Sequence, residues 1–360
     1  MLLLAYAELT GHTHNGFELC SAEMDRFIER QVGSRSLSLY GGWTELGWIA
    51  AHLGAEEDFV SEHVDRLLIG HLQKWPVRAG YDLISGLVGA GVYCLERMPL
   101  DAGRKGMSLV VDALDSSRIE TESGVTWFTP PGSLPEWQRR HAPDGYYNLG
   151  VAHGVPGVIG LLGRCCAEDV ESQRARGLAR AAVSWLRRQQ PDPTMAELPS
   201  WIAPGVRPDP GRRMAWCYGP LGVAAVVLQA AKRIGDEEGE RWARSLAHAC
   251  AAVPPEQGRT MDAGLCHGAA GNLQIFRRIF EYTGEAVFQQ AADAWLQQTL
   301  AYWQPGVGVG GFQAWSAPEG EEPGWEEDAS FLSGSAGVGL ALLGATTKVE
   351  TAWDRLLLLS

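Results

Sequence analysis

No apolar stretch of this chain approaches the roughly 18 to 20 residues that a membrane-crossing helix needs. A helical membrane protein is therefore excluded. No Lys/Arg block interleaves with aromatics, and 30 basic against 43 acidic residues leave a net charge of −13. That balance argues against nucleic acid as a partner and reads as a soluble acidic surface. Met1 to Ala7 is apolar but has no basic start and no clear cleavage region, so no secretory signal is apparent. Strand-like alternation is missing, apart from short pieces in the longer connections. There is no CxxC pair and no HExxH. The cysteines number seven, an odd count in a large chain. We expect a reducing compartment, the cytoplasm, where cysteines serve packing, metal or catalysis rather than a disulfide framework.

Glycine is abundant instead, with 44 residues, and so is tryptophan, with 14. The glycines sit in a recurring motif: Gly, two residues, a second Gly, then an apolar helical run. It occurs six times, at Tyr40–Trp48 (looser in spacing), Ile84–Tyr93, Ala152–Leu161, Cys217–Val226, Cys266–Ile275 and Leu332–Leu340. Each run is followed by a segment that is amphipathic at helical period. These segments are Glu56–Leu72, Arg104–Ser116, Glu171–Gln189, Asp236–Ala252, Glu285–Trp303 and Lys348–Leu359. The first helix of each pair is apolar nearly all round; the second has one charged face. The reading is an inner helix packed on both sides, then an outer helix facing water.

Glu18–Val32 is a further outer-type segment, with Leu2–Glu8 as its inner partner, which makes seven pairs. Helical hairpins that bury their inner helices on both faces avoid exposed ends by closing into a ring. The expected fold is all-α: one α/α toroid domain over residues 1–360, a double ring of about seven inner–outer hairpins. Its long connections are 118–150, 190–216 and 303–331. Glycine in the motif supplies positive φ at the turn and lets backbones approach closely.

In such a ring the turns before the inner helices gather on one rim. The rim positions read Tyr81-Asp82, Ala152-His153, Trp216-Cys217-Tyr218, Leu265-Cys266-His267 and Phe331-Leu332-Ser333. Equivalent points of the repeat thus hold Asp, His, Cys and Cys-His. Two cysteines and a histidine form an S₂N donor set for zinc. With no obvious fourth protein ligand, a position stays open for water or substrate, as in catalytic sites. The bland alternatives are plain. A single Cys is usually a buried small hydrophobe. His153 can be structural, Asp82 a helix N-cap, Arg213 a surface ion-pair partner and Tyr218 a packing residue. The tryptophans at 127, 137, 201, 216, 315 and 325 can line a peptide groove or serve as lids over the core.

YDLISGLVG, NLGVAHGVPG, WCYGPLG, GLCHGAAG and SFLSGSAGVGLALL occur in that order along nearly the whole chain. Together they resemble the lanthionine synthetase C-like family. The resemblance implies a toroid of seven helical hairpins and Zn²⁺ bound by Cys217, Cys266 and His267. It implies catalytic roles for His153, Asp82, Arg213 and Tyr218. The implied reaction is lanthipeptide cyclisation, part of antibiotic biosynthesis in bacterial members. A peptide Cys thiol adds to dehydroalanine or dehydrobutyrine and closes a (methyl)lanthionine thioether ring. The partner is a dehydrated precursor peptide, with a possible complex with a dehydratase. Two other functions fit the same residues: glutathione addition to dehydroamino acids, and a non-catalytic zinc-bearing peptide-binding scaffold. The sequence departs from the family pattern at Pro220-Leu221, and the 118–150 connection has room only for a rudimentary inserted subdomain.

Overall fold

The protein is described by a computed structural model, which covers all residues except 32, 55–58, 77–78, 207–208 and 318–321. Six hairpins follow one another: α1 (Leu2–Leu9) with α2 (Gly16–Gln31), α3 (Trp43–Leu53) with α4 (Phe59–Leu72), α5 (Leu87–Glu96) with α6 (Asp101–Ser117), and, after the short α7 (Glu136–His141), α8 (Val155–Ala167) with α9 (Ser172–Arg187), α10 (Pro220–Ile234) with α11 (Glu237–Ala251), and α12 (Ala269–Thr283) with α13 (Ala286–Ala301). A last inner helix, α14 (Ser335–Thr346), packs between α12 and α1 and closes the ring. The inner helices are buried on nearly every side: in α10, every residue from Pro220 to Ala231 is buried. The outer helices bury one stripe, as in α9 with Ala175, Leu178, Ala179, Ala182, Val183 and Leu186. The toroid and its inner–outer alternation are as the sequence implied. The expected start of the second outer helix, Glu56, lies outside the described residues.

The expected outer helix over Lys348–Leu359 does not form. Ala352–Leu357 is a 3-10 turn, and Leu356 to Leu359 are all buried. The cause is visible in its partners. The carbonyls of Leu356, Leu357 and Leu359 accept hydrogen bonds from Tyr40 Oη, Trp216 Nε1 and Gln229 Nε2 at 2.9, 2.9 and 2.6 Å. Four consecutive leucines have no charged face to show to water, so the segment enters the ring and fills its centre. The seventh inner helix therefore lacks an outer helix of its own.

Among the described residues the strands are six short pieces in the long connections, paired antiparallel: β1 (Ile119–Thr121) with β2 (Gly124–Thr126), β3 (Tyr147–Asn148) with β4 (Trp201–Ile202), and β5 (Ala314–Ser316) with β6 (Gly324–Glu326). The β3–β4 pair ties the first long connection to the second. Of the tryptophans in these regions, Trp127 and Trp216 are buried, with Trp127 Nε1 donating to Leu114 O at 2.9 Å. They are lids and core. Trp137 and Trp325 are exposed.

The motif glycines work by close approach. The N-cap of each inner helix that follows a motif turn is a motif glycine, and five of these six have φ between −131° and −98°, a region open to any residue. Among these N-caps Gly219, at φ 155°, has the positive φ expected of the motif; in the looser first instance Gly41, just before its N-cap, has it too, at φ 82°. In the five regular instances the second glycine lies on the carbonyl of the residue six positions before it, whereas Gly47 of the looser first instance packs on Tyr93 and Val64. A Cβ on Gly271 would stand 2.0 Å from Leu265 O, and one on Gly222 would stand 2.3 Å from Trp216 O. The turn is thus folded flat against the first turn of its helix. Because Leu357 is 1% exposed and its cavity is walled by the ring, Leu357→Ala should cost about 2–5 kcal/mol of unfolding free energy in chemical denaturation, the usual range for a buried leucine.

Candidate active site

The six turns before the inner helices are joined edge to edge by backbone hydrogen bonds. Tyr40 N donates to Ile84 O at 3.2 Å, Leu83 N to Ala152 O at 3.0 Å, Ala152 N to Cys217 O at 3.4 Å, Cys217 N to Cys266 O at 3.1 Å, and Cys266 N to Leu332 O at 2.8 Å. This belt sets Cys217 beside Cys266. Cys217 Sγ, Cys266 Sγ and a ring nitrogen of His267 lie within 4.8 Å of one another, with Cys217 Sγ 4.0 Å from His267 Nδ1. Among the described residues this is the one cluster of metal-ligating side chains. Seven cysteines are free, and the other five take no part in it.

The two thiols perturb each other. A hydrogen bond from the Cys266 thiol outweighs burial and, with the charges of His267 and Arg213, holds Cys217 well below the ordinary thiol range. The same contact and burial push Cys266 well above it. A metal held by both sulfurs would need both as thiolates, so its binding would release a proton here. Arg213 leaves its buried Nε without a hydrogen-bond partner.

On two other turns of the belt, His153 Nδ1 lies 3.6 Å from Asp82 Oδ2. Burial raises the Asp82 carboxyl, but the His153 ring and the N–H groups of Ser85 and Ile84 outweigh it and hold the group below the ordinary carboxylate range. Asp82 Oδ1 accepts from Ser85 N at 2.8 Å, in the turn itself; the helix N-cap is Gly86. The His153 ring stacks on Tyr218, with centroids 6.0 Å apart and planes 20° apart. Burial keeps the Tyr218 phenol protonated by pushing it up. A cleft of about 250 Å³ is lined by Asp82, His153, Tyr218, Asn148, Tyr81 and Tyr146, among others. The metal-ligating trio is outside that lining, and Tyr218, the neighbour of Cys217, links the two.

All seven residues singled out in the sequence therefore fall in one region of the rim. Asn148 was missed. It is buried and donates from Nδ2 to Tyr218 Oη at 3.1 Å. A signal existed: Asn148, Asp262 and Asp328 each stand six residues before an N-cap glycine.

A mostly helical double ring with a two-thiol, one-imidazole cluster on its rim defines the class: a toroid with a potential metal centre. The chain belongs to the lanthionine synthetase C-like protein family, whose description matches residues 1–358. Among solved structures it is similar to one titled nisin cyclase, at 16% identity and a TM-score of 0.81, over 99% of this chain and 89% of that one. At that identity the likeness speaks for the fold. Among the described residues no helix is long and apolar enough to cross a membrane.

The lowered Asp82 pKa has a definite sign. Its ionised form is favoured in the folded state, so its contribution to stability is full above the unfolded pKa and is lost as pH falls through the folded one. Asp82→Asn should therefore flatten the dependence of unfolding free energy on pH between about pH 5 and pH 3 relative to wild type, as read by urea denaturation at each pH.

Proposed function

We propose that the protein is a zinc-dependent lanthipeptide cyclase acting on a dehydrated precursor peptide. The carrying observation is the packing of Cys217, Cys266 and His267 within 4.8 Å of one another, with the His153–Asp82 pair on the neighbouring turns. The donor set fits zinc. A tetrahedral zinc holds two sulfurs and a nitrogen roughly 3.5–4 Å apart, prefers soft thiolate with imidazole, and keeps a fourth position in catalytic sites. When bound, zinc lowers the pKa of a peptide cysteine thiol and holds the sulfur as a nucleophile.

The chain's own groups supply the rest. The sulfur lone pair forms the C–S bond at the β-carbon of the dehydroamino acid. The C=C pair moves toward the neighbouring carbonyl as an enolate, and a proton then joins the α-carbon. The thiol proton lost and the α-proton gained cancel, so the peptide's mass does not change. With Nδ1 of His153 facing the Asp82 carboxylate, the ring hydrogen belongs on Nδ1, and Nε2 is free to take and return the proton. The ionised Asp82 orients the ring. Arg213, whose charge already favours thiolate at both cysteines and whose Nε has no partner, is suited to the developing enolate oxygen. The family membership supports the reaction class.

His153→Ala should keep one zinc per chain, measured by elemental analysis, and slow ring closure by about 10²- to 10⁴-fold, the usual worth of a general acid–base. Ring closure is read as loss of alkylatable thiol in a dehydrated precursor at constant mass. Full activity in this variant would sink its assignment. Cys266→Ala should lose the metal. A zinc-loaded wild type that binds dehydrated peptide yet never consumes its thiol would replace the cyclase reading with a scaffold one.

A further inference from the structure

The belt of rim turns is not a closed ring. Its hydrogen bonds run from Tyr40 round to Leu332, and among the described residues none joins the Leu332 turn back to the Tyr40 turn. The inner helix that stands at this place is α1, and none of the six glycine motifs belongs to it. It also leans to one side. It packs on α14, where a Cβ on Gly339 would stand 2.9 Å from Leu3 Cδ1, and makes little contact with α3. A pocket of about 140 Å³ remains in the breach, between α1, α3 and α14.

Its walls include Leu3, Leu39, Tyr40, Ile49, Phe331 and Leu340. The polar atoms among them are engaged. Tyr40 Oη donates to Leu356 O at 2.9 Å. Glu45 is the one charged side chain of the lining, and its Oε2 accepts from Gly41 N at 2.5 Å. Burial raises the Glu45 carboxyl, against the Gly41 N–H and the charge of the Met1 amino group. What the pocket offers is apolar surface with one acidic neighbour. Its size suits a single side chain, since an apolar cavity of about 150 Å³ takes up benzene.

The pocket adjoins the metal-ligating trio. Cys266 N donates to Leu332 O at 2.8 Å, and the Phe331 ring, one residue back, stacks on Tyr40 with centroids 6.5 Å apart. Burial above all raises the Tyr40 phenol, and the charges of Glu45 and Cys266 add to it, so the phenol is within electrostatic reach of the second thiol. The cleft with His153 and Asp82 reaches the trio from the Cys217 side through Tyr218; the pocket reaches it from the Cys266 side. Bonded backbones lie about 5 Å apart and an extended residue spans about 3.3 Å, so two turns on from Cys266 is a step of roughly three residues.

We propose that this pocket is a specificity subsite: it takes one apolar side chain of the precursor peptide, of leucine to phenylalanine size, within about three residues of the cysteine held at the trio. The inference rests on the cyclase reading, which supplies the peptide. Place, size and wall chemistry fix the occupant, and the Glu45 carboxylate turns acidic side chains away.

The test uses model peptides with one dehydroalanine and one cysteine among glycines and serines, and a set with leucine one, two or three places from the cysteine on either side. With the full chain, leucine at one of these places should lower KM by about 10- to 100-fold with kcat little changed, the worth of burying one such side chain. Aspartate or lysine there should give no gain. Ala336→Phe builds a ring into the pocket from α14, and Ala329→Trp covers it from an exposed loop. Each should hold zinc as wild type does and abolish the difference between leucine and glycine peptides. If Ala336→Phe disturbs folding, Ala329→Trp decides. An equal KM for leucine at every place, a lysine peptide preferred to the leucine one, or a leucine preference that survives in the folded variants overturns the proposal. If wild-type protein consumes no peptide thiol at all, the cyclase reading fails. The pocket is then judged by calorimetry with peptides carrying alanine for dehydroalanine and serine for cysteine: a leucine preference in Kd that the variants lose sustains the subsite, and its absence ends it.

Discussion

The site hangs from the belt of backbone hydrogen bonds that joins the rim turns. Its members come mostly from one register, the residue two places before each N-cap glycine. Tyr40 reaches Ile84, Ala152 reaches Cys217, Cys217 reaches Cys266, and Cys266 reaches Leu332. Each bond is worth only about 0.5–1.5 kcal/mol net, but a buried turn with unpaired N–H groups would cost more than that. The belt exists because the second glycine of five of the six motifs lets the turn lie flat on its helix. A side chain there would push into a backbone carbonyl, lift the turn and break the register. Once the backbone is fixed, neighbouring turns present equivalent side chains side by side. Cysteines in that register in two consecutive turns must meet.

This explains why the sequence was so informative about the metal cluster. Cys217, Cys266 and His267 are each placed by their offset from a glycine, and offset is visible without coordinates. His153 was legible for the same reason. Asp82 was read among the rim positions too, but it stands in a different register, four places before its N-cap glycine. Asn148 escaped because the asparagine six residues before the glycine looks like ordinary turn chemistry. Its hydrogen bond to Tyr218 depends on where the next turn lies, which is a tertiary fact.

The two failures of the sequence reading have physical causes as well. The glycines were expected to supply positive φ, and five of six N-cap glycines do not; steric exclusion by a nearby backbone, rather than the dihedral, selects them. The segment from Lys348 was expected to be an outer helix from its spacing and its charged start. Helical period cannot distinguish a stripe that faces an inner helix from a run that is buried all round. Leu356–Leu359 is such a run, and its burial is decided by the empty centre of the ring.

That central filling bears on the chemistry. Trp216, adjacent to Cys217, gives its indole hydrogen to Leu357 O, so the turn that carries the first thiol is held from below by the last leucines and from the side by the belt. Thiolates brought close together repel one another unless a cation lies between them, and a soft turn would relieve that repulsion by moving apart. Here both directions of escape are closed. The rim thus keeps Cys217 and Cys266 close enough to perturb each other strongly, and the repulsion between two thiolates held there favours a metal ion between them.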